Sequence, residues 1–98
     1  MVEEENQETP EEKLENLFLG IQSTQKAANE LKTDTLASAE EKQKLNLHLL
    51  IQIEDYKFYL EQYDMLDEKR AEIISEMKRS TKEILRSIGE EIKLLKKD

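Results

Sequence analysis

From Glu11 to Asp98 the chain contains no proline, and its two glycines, Gly20 and Gly89, stand alone. Sandwiches and barrels of β-strands need turn residues at short, regular intervals, roughly every 8–12 residues. A chain without them is confined to long helices, and the apolar spacing agrees. Leu14, Leu17, Ile21, Thr24, Ala28 and Leu31 recur in alternating steps of three and four. That places an a/d seam along one helix face. Leu49, Ile53, Tyr56, Leu60 and Tyr63 repeat the pattern, and the same register runs on through Asp67, Arg70, Ile74, Met77, Thr81, Ile84, Ile88, Glu91 and Leu95.

The boundaries follow from capping chemistry. Residues 1–10 are polar and acidic without periodicity, and are expected to form a disordered tail. Thr9 is a candidate N-cap, because Pro10 suits a first helical turn and Glu12 completes a capping box. Helix 1 is expected over about residues 11–33. The segment KTDTLASAEEK is rich in residues whose side chains compete for backbone hydrogen bonds. A turn is expected at about 34–38, with Ser38 and Glu41 as a second capping box. No glycine or proline marks this turn, so one unbroken helix is the alternative. Helix 2 is expected over about residues 39–97, where it would be about 87 Å long against about 38 Å for helix 1.

The expected fold is therefore all-α: an elongated antiparallel hairpin, with a short helix 1 and a long helix 2, over residues 11–98. It would assemble into a coiled coil or four-helix bundle. The unmatched part of helix 2 would leave Ile73, Ile74, Met77, Ile84, Leu85, Ile88, Ile92 and Leu95 uncovered. An exposed stripe of that length implies a partner. Asp67 and Arg70 interrupt the seam. They read either as a polar layer that fixes register or as a place where the seam drifts into solvent.

The stretch LNLHLLIQI, residues 45–53, begins like an alternating strand. As a helix it spreads Leu47, Leu49, Leu50, Ile51 and Ile53 over an arc of about 200°. An arc that wide needs neighbours on at least two sides. His48 falls on the polar remainder, and with no second histidine and no cysteine it has no companions for a zinc site.

Charge limits the classes of partner. Charged residues make up 39% of the chain and the net charge is −8. Residues 1–65 carry 6 basic and 15 acidic side chains, whereas residues 66–98 carry 9 and 8. Such a surface repels nucleic acid, which is held mainly through its phosphates. No run is apolar enough for a bilayer, and the acidic start lacks the form of a secretory signal, so an intracellular, cytoplasmic or nuclear location is expected. The carboxylate pairs Glu40–Glu41, Glu54–Asp55 and Glu90–Glu91 suit a solvated helix face. No catalytic, phosphate-binding or calcium-loop motif accompanies them. Tyr56, Phe58, Tyr59 and Tyr63 sit among Glu54, Asp55, Glu61 and Asp64, with Lys57 the sole base, which suits packing better than base stacking. Short patterns around Ser80 and Thr9–Pro10 resemble phosphorylation sites but arise often by chance.

The expectation is a non-enzymatic, cofactor-free structural module that self-associates, with a dimer favoured, or pairs with another helical protein. Its interface would comprise Leu14, Leu17, Ile21, Ala28, Leu31, Leu47, Leu49, Leu50, Ile53, Tyr56, Leu60, Tyr63, Ile74, Met77, Ile84, Ile88 and Leu95. Two alternatives share this pattern. One is an obligate small subunit of a hetero-oligomeric cytoskeletal or chromosomal assembly. The other is a regulatory module that blocks a partner's helix-binding groove.

Overall fold

The computed structural model describes residues 8–97. They form three helices: α1 Pro10–Asn29, α2 Leu36–Gln62 and α3 Glu68–Lys96. The expected tail lies mostly in residues 1–7, outside the described residues.

α1 starts as its caps dictate. The Thr9 hydroxyl accepts from the Glu12 N–H at 3.1 Å, and the Glu12 carboxylate accepts from the Thr9 N–H at 3.0 Å. Two otherwise orphaned donors are satisfied reciprocally. The helix ends at Asn29, four residues before the expected boundary. The next helix begins earlier than Ser38, because Thr35 takes the cap. Its hydroxyl accepts from the Ser38 N–H at 3.1 Å, while the Ser38 hydroxyl donates to the Lys32 carbonyl. Ser38 therefore braces the turn and does not cap the helix.

The larger correction concerns helix 2. The expected continuous helix over 39–97 is divided at residues 63–67, and the chain reverses there. Asp64 adopts φ 57°. This is left-handed backbone, which Asp tolerates better than most residues. The Asp64 N–H donates to the Glu61 carbonyl at 3.1 Å and the Met65 N–H to the Leu60 carbonyl at 2.8 Å. That pair of bonds is a Schellman motif, which satisfies the last carbonyls of α2. Leu60 and Met65 join the same apolar cluster, supplying the hydrophobic contact that accompanies such an ending. Asp67 then caps α3.

α1 and α3 each pack on α2 and not on each other, so α2 is the middle member of an open three-helix layer. The Cα envelope measures 61 × 33 × 16 Å. Most buried positions recur every seventh residue: Leu14, Ile21 and Ala28 on α1; Ala39, Asn46, Ile53 and Leu60 on α2; Ile74, Thr81 and Ile88 on α3. Leu49 and Ile92 complete the buried set. A one-per-heptad row lets neighbouring helices pack nearly in line along their whole lengths. The core falls into two clusters. The larger is built on Leu14, Ile21, Leu49, Ile53, Leu60 and Ile74; the smaller on Ala39, Ile88 and Ile92. The polar positions Asn46 and Thr81, each 2% exposed, fall between them along the chain. Each satisfies a side-chain donor inside its own helix. Asn46 Nδ2 donates to the Lys42 carbonyl at 2.9 Å, and Thr81 Oγ1 to the Met77 carbonyl at 2.7 Å.

Candidate functional site

The apolar stripe expected to overhang is largely covered by its own chain. Ile74, Ile88 and Ile92 are buried, and Met77, Ile84, Leu85 and Leu95 are half-buried, because α3 folds back along α2. Ile73 stays 45% exposed. The residues expected at an intermolecular interface are distributed in the same way. Leu14, Ile21, Ala28, Leu49, Ile53, Leu60, Ile74 and Ile88 are buried within the chain. Leu17, Leu31, Leu50, Tyr56, Tyr63, Met77, Ile84 and Leu95 are half-buried. Leu47 is the exposed member of that set.

Asp67 and Arg70, read either as a buried polar layer or as a place where the seam drifts into solvent, follow the second reading. Both are exposed, and they form the N-terminal cap of α3. The Arg70 backbone N–H, followed by the Arg70 charge and guanidinium hydrogen bond, holds the Asp67 carboxyl below the ordinary aspartate pKa.

Around α2 the surface divides into three sectors. On the α1 side, Tyr56 lies 5.6 Å from Phe18, ring centroid to centroid, and Lys13 Nζ sits 4.9 Å over the Tyr59 ring. Phe18 of α1, Tyr56 of α2 and Arg70 and Ile73 of α3 line an apolar groove of about 160 Å³ where the three helices meet. That is well below the volume of an ordinary small-molecule site, roughly 300–1,000 Å³.

On the α3 side, a larger open groove of about 510 Å³ is lined by Lys57, Lys78, Arg79 and Lys82, with Ala71, Ile74 and Ser75. Two of its four cations are ion-paired among the described residues. Lys78 pairs with Glu54, and Arg79 pairs with both Glu76 and Glu83. The hydrogen bond from Lys78, helped by the charges of Lys78, Lys57 and Lys82, holds the Glu54 pKa below the usual carboxylate range. The two glutamates raise that of Arg79 in turn, Glu76 contributing most. Lys78–Glu54 thus ties α3 to α2, and Arg79 is held along α3.

The third sector faces away from both neighbours. Leu47, Ile51 and Phe58 are 50%, 60% and 51% exposed. At 100° per residue they fall within about 40° of one another on α2. They form one apolar ridge, on the side of the helix away from the Asn46–Ile53–Leu60 row. The arc that looked too wide for a hairpin is thus shared three ways: α1 and α3 cover two parts, and the ridge is left. Glu54 and Glu61 flank it on one side and Lys44 and Asp55 on the other, all exposed. Of these, Glu54 has an ion-pair partner among the described residues and Asp55 and Glu61 have none.

The sequence reading reached this ridge in pieces: Leu47 belonged to the expected interface, Ile51 to the wide apolar arc over residues 45–53, and Phe58, off the seam, to a second interface. Ile51 and Phe58 lie off the 3,4 register. The available signal was the step of four and then seven that links them to Leu47. No group of three or more His, Cys, Asp or Glu side chains is placed to hold a metal among the described residues, and His48 is exposed. None of the helices is long and apolar enough to cross a membrane among the described residues. Comparison with protein-family models, with curated proteins and with solved structures returns no match.

Proposed function

We propose that the chain is a non-enzymatic helical interaction module, and that it engages its partner through the outward face of α2. One observation carries this reading. The long apolar rows of all three helices are used inside the chain, yet Leu47, Ile51 and Phe58 stay half-exposed or more in a single line. Single exposed leucines are ordinary; a row on one helix marks a surface for another helix. Such a surface serves a scaffold, a subunit of a larger helical assembly or a helix-groove blocker equally well. All three roles need the same contact and no catalysis.

The test is a photo-reactive phenylalanine analogue placed at Phe58 or at Leu94 in the full chain, irradiated in cells. Leu94 is 61% exposed and lies on α3, outside the ridge, so it controls for general stickiness. A discrete adduct at position 58 that is missing at 94 supports the reading. No adduct, or the same set at both positions, contradicts it. The adduct mass separates a second copy of the chain from a different protein.

A further inference from the structure

We infer that the ridge is a docking site for an amphipathic helix of a different protein, one whose apolar stripe is flanked by lysine and arginine. This rests on the interaction reading above and adds the chemistry of the partner. The argument is one of charge. The apolar residues Leu47, Ile51 and Phe58 are interleaved with Glu54, Asp55 and Glu61, and Glu40 lies in line with them one turn and more toward the start of α2. Lys44 is the exposed lysine on this face. Glu54 is already matched by Lys78, and Asp55 and Glu61 are unmatched among the described residues. A partner helix laid along the ridge therefore meets uncompensated negative charge on both flanks, one carboxylate to each side.

The same charges argue against a second copy as occupant. A second copy would bring the same acidic excess to the ridge, Glu54, Asp55 and Glu61 against Lys44, between chains that each carry −8. Like charges held opposite one another across an interface are destabilising and select against that pairing. The ridge is also narrow. Three partly exposed side chains fall well short of the roughly 800 Å² per partner that a stable dimer buries. A short helix that adds ion pairs to a small apolar contact suits it better, and gives a reversible complex whose strength falls with salt.

The probe is a synthetic peptide of about 20 residues, long enough to hold a helix. It carries leucine along one stripe and lysine on both flanks; a control peptide carries glutamate on the flanks. Binding to the full chain is read by fluorescence anisotropy across a salt series, with sedimentation equilibrium of the chain alone. The lysine-flanked peptide should bind and the glutamate-flanked one should not. Ile51→Asp should weaken binding by about tenfold or more, although it adds a charge that would attract the peptide. If Ile51→Asp loses helicity, Leu47→Ser carries the same test. The double variant Asp55→Lys, Glu61→Lys should reverse the preference between the two peptides. Equal binding to wild type and Ile51→Asp would overturn the inference, because attraction would then be general and not seated on the ridge. A wild-type dimer that Ile51→Asp converts to monomer would also overturn it, while leaving the interaction reading intact. A monomer that binds neither peptide would overturn both.

Discussion

Asp67 holds Arg70 at two points. One carboxylate oxygen accepts the Arg70 backbone N–H at 2.8 Å, and the other pairs with the Arg70 guanidinium at 2.7 Å. Both bonds are stronger to the charged carboxylate, and they lower its folded-state pKa beneath the ordinary aspartate value of about 3.9. A lowered folded pKa means that the native state binds fewer protons than the unfolded chain as acid is added. The cap's ionic contribution is therefore fully present above the unfolded value and disappears as pH falls through the folded one. Asparagine at this position keeps a capping oxygen but carries no charge. The melting temperature of wild type should exceed that of Asp67→Asn at pH 7, and the gap should close at pH 2. A gap that stays constant over this range would refute an ionic cap.

Asn46 and Thr81 separate the two apolar clusters, so the layer should not open as one unit. The smaller cluster draws its members from α2 and α3 alone, whereas the larger draws on all three helices. Amide exchange should show lower opening free energies near Ala39, Ile88 and Ile92 than near Ile53 and Leu60. Asn46 bonds within its own helix, so Asn46→Leu removes a buried polar group without orphaning a partner on another helix. That change should raise stability by about 1 kcal/mol and slow exchange in the smaller cluster. A loss of stability in denaturant melts would show that Asn46 is held by more than its Lys42 bond.

The helical character of this chain was legible because it lies in repetition: the 3,4 spacing and the scarcity of glycine and proline. Where α1 begins was legible too, since Thr9, Pro10 and Glu12 state it chemically. The reversal at residues 63–67 was not. Leu60, Asp67 and Ile74 keep the seven-residue step across it, so the register reads straight through a turn. The turn is made by Asp64 in a left-handed conformation and Asp67 as a cap, without glycine or proline. The interruption of the seam at Asp67 and Arg70 was the sign of it. Missing the turn turned an intramolecular partner, α3, into an expected intermolecular one. The ridge was hidden by the same step, because burial decides which of the α2 leucines and isoleucines are left over.

Gly89 lies within α3, with nothing within 4 Å of where a Cβ would sit and with ordinary negative φ. Gly89→Ala should therefore add helix propensity alone, stabilising the chain by roughly 0.5–1 kcal/mol. Gly20 differs, because its added Cβ would lie 3.3 Å from the Gln52 side-chain nitrogen. Gly20→Ala should gain less, since Gln52 has to move. Urea melts of the two variants compare them directly, and an equal gain would contradict the close packing of α1 on α2.

α3 completes the core of its own chain. Glu54 on α2 and Lys78 on α3 form a salt bridge between antiparallel helices. Neighbouring packed helices have axes about 8–10 Å apart. On one unbroken helix the same two residues would be separated by about 36 Å. The chain has no native cysteine, so Glu54→Cys and Lys78→Cys give a clean pair for spin labels. Labelled chain diluted into excess unlabelled chain should show strong short-range dipolar broadening that dilution does not change. A separation near 36 Å, or a short one that vanishes on dilution, would contradict the account.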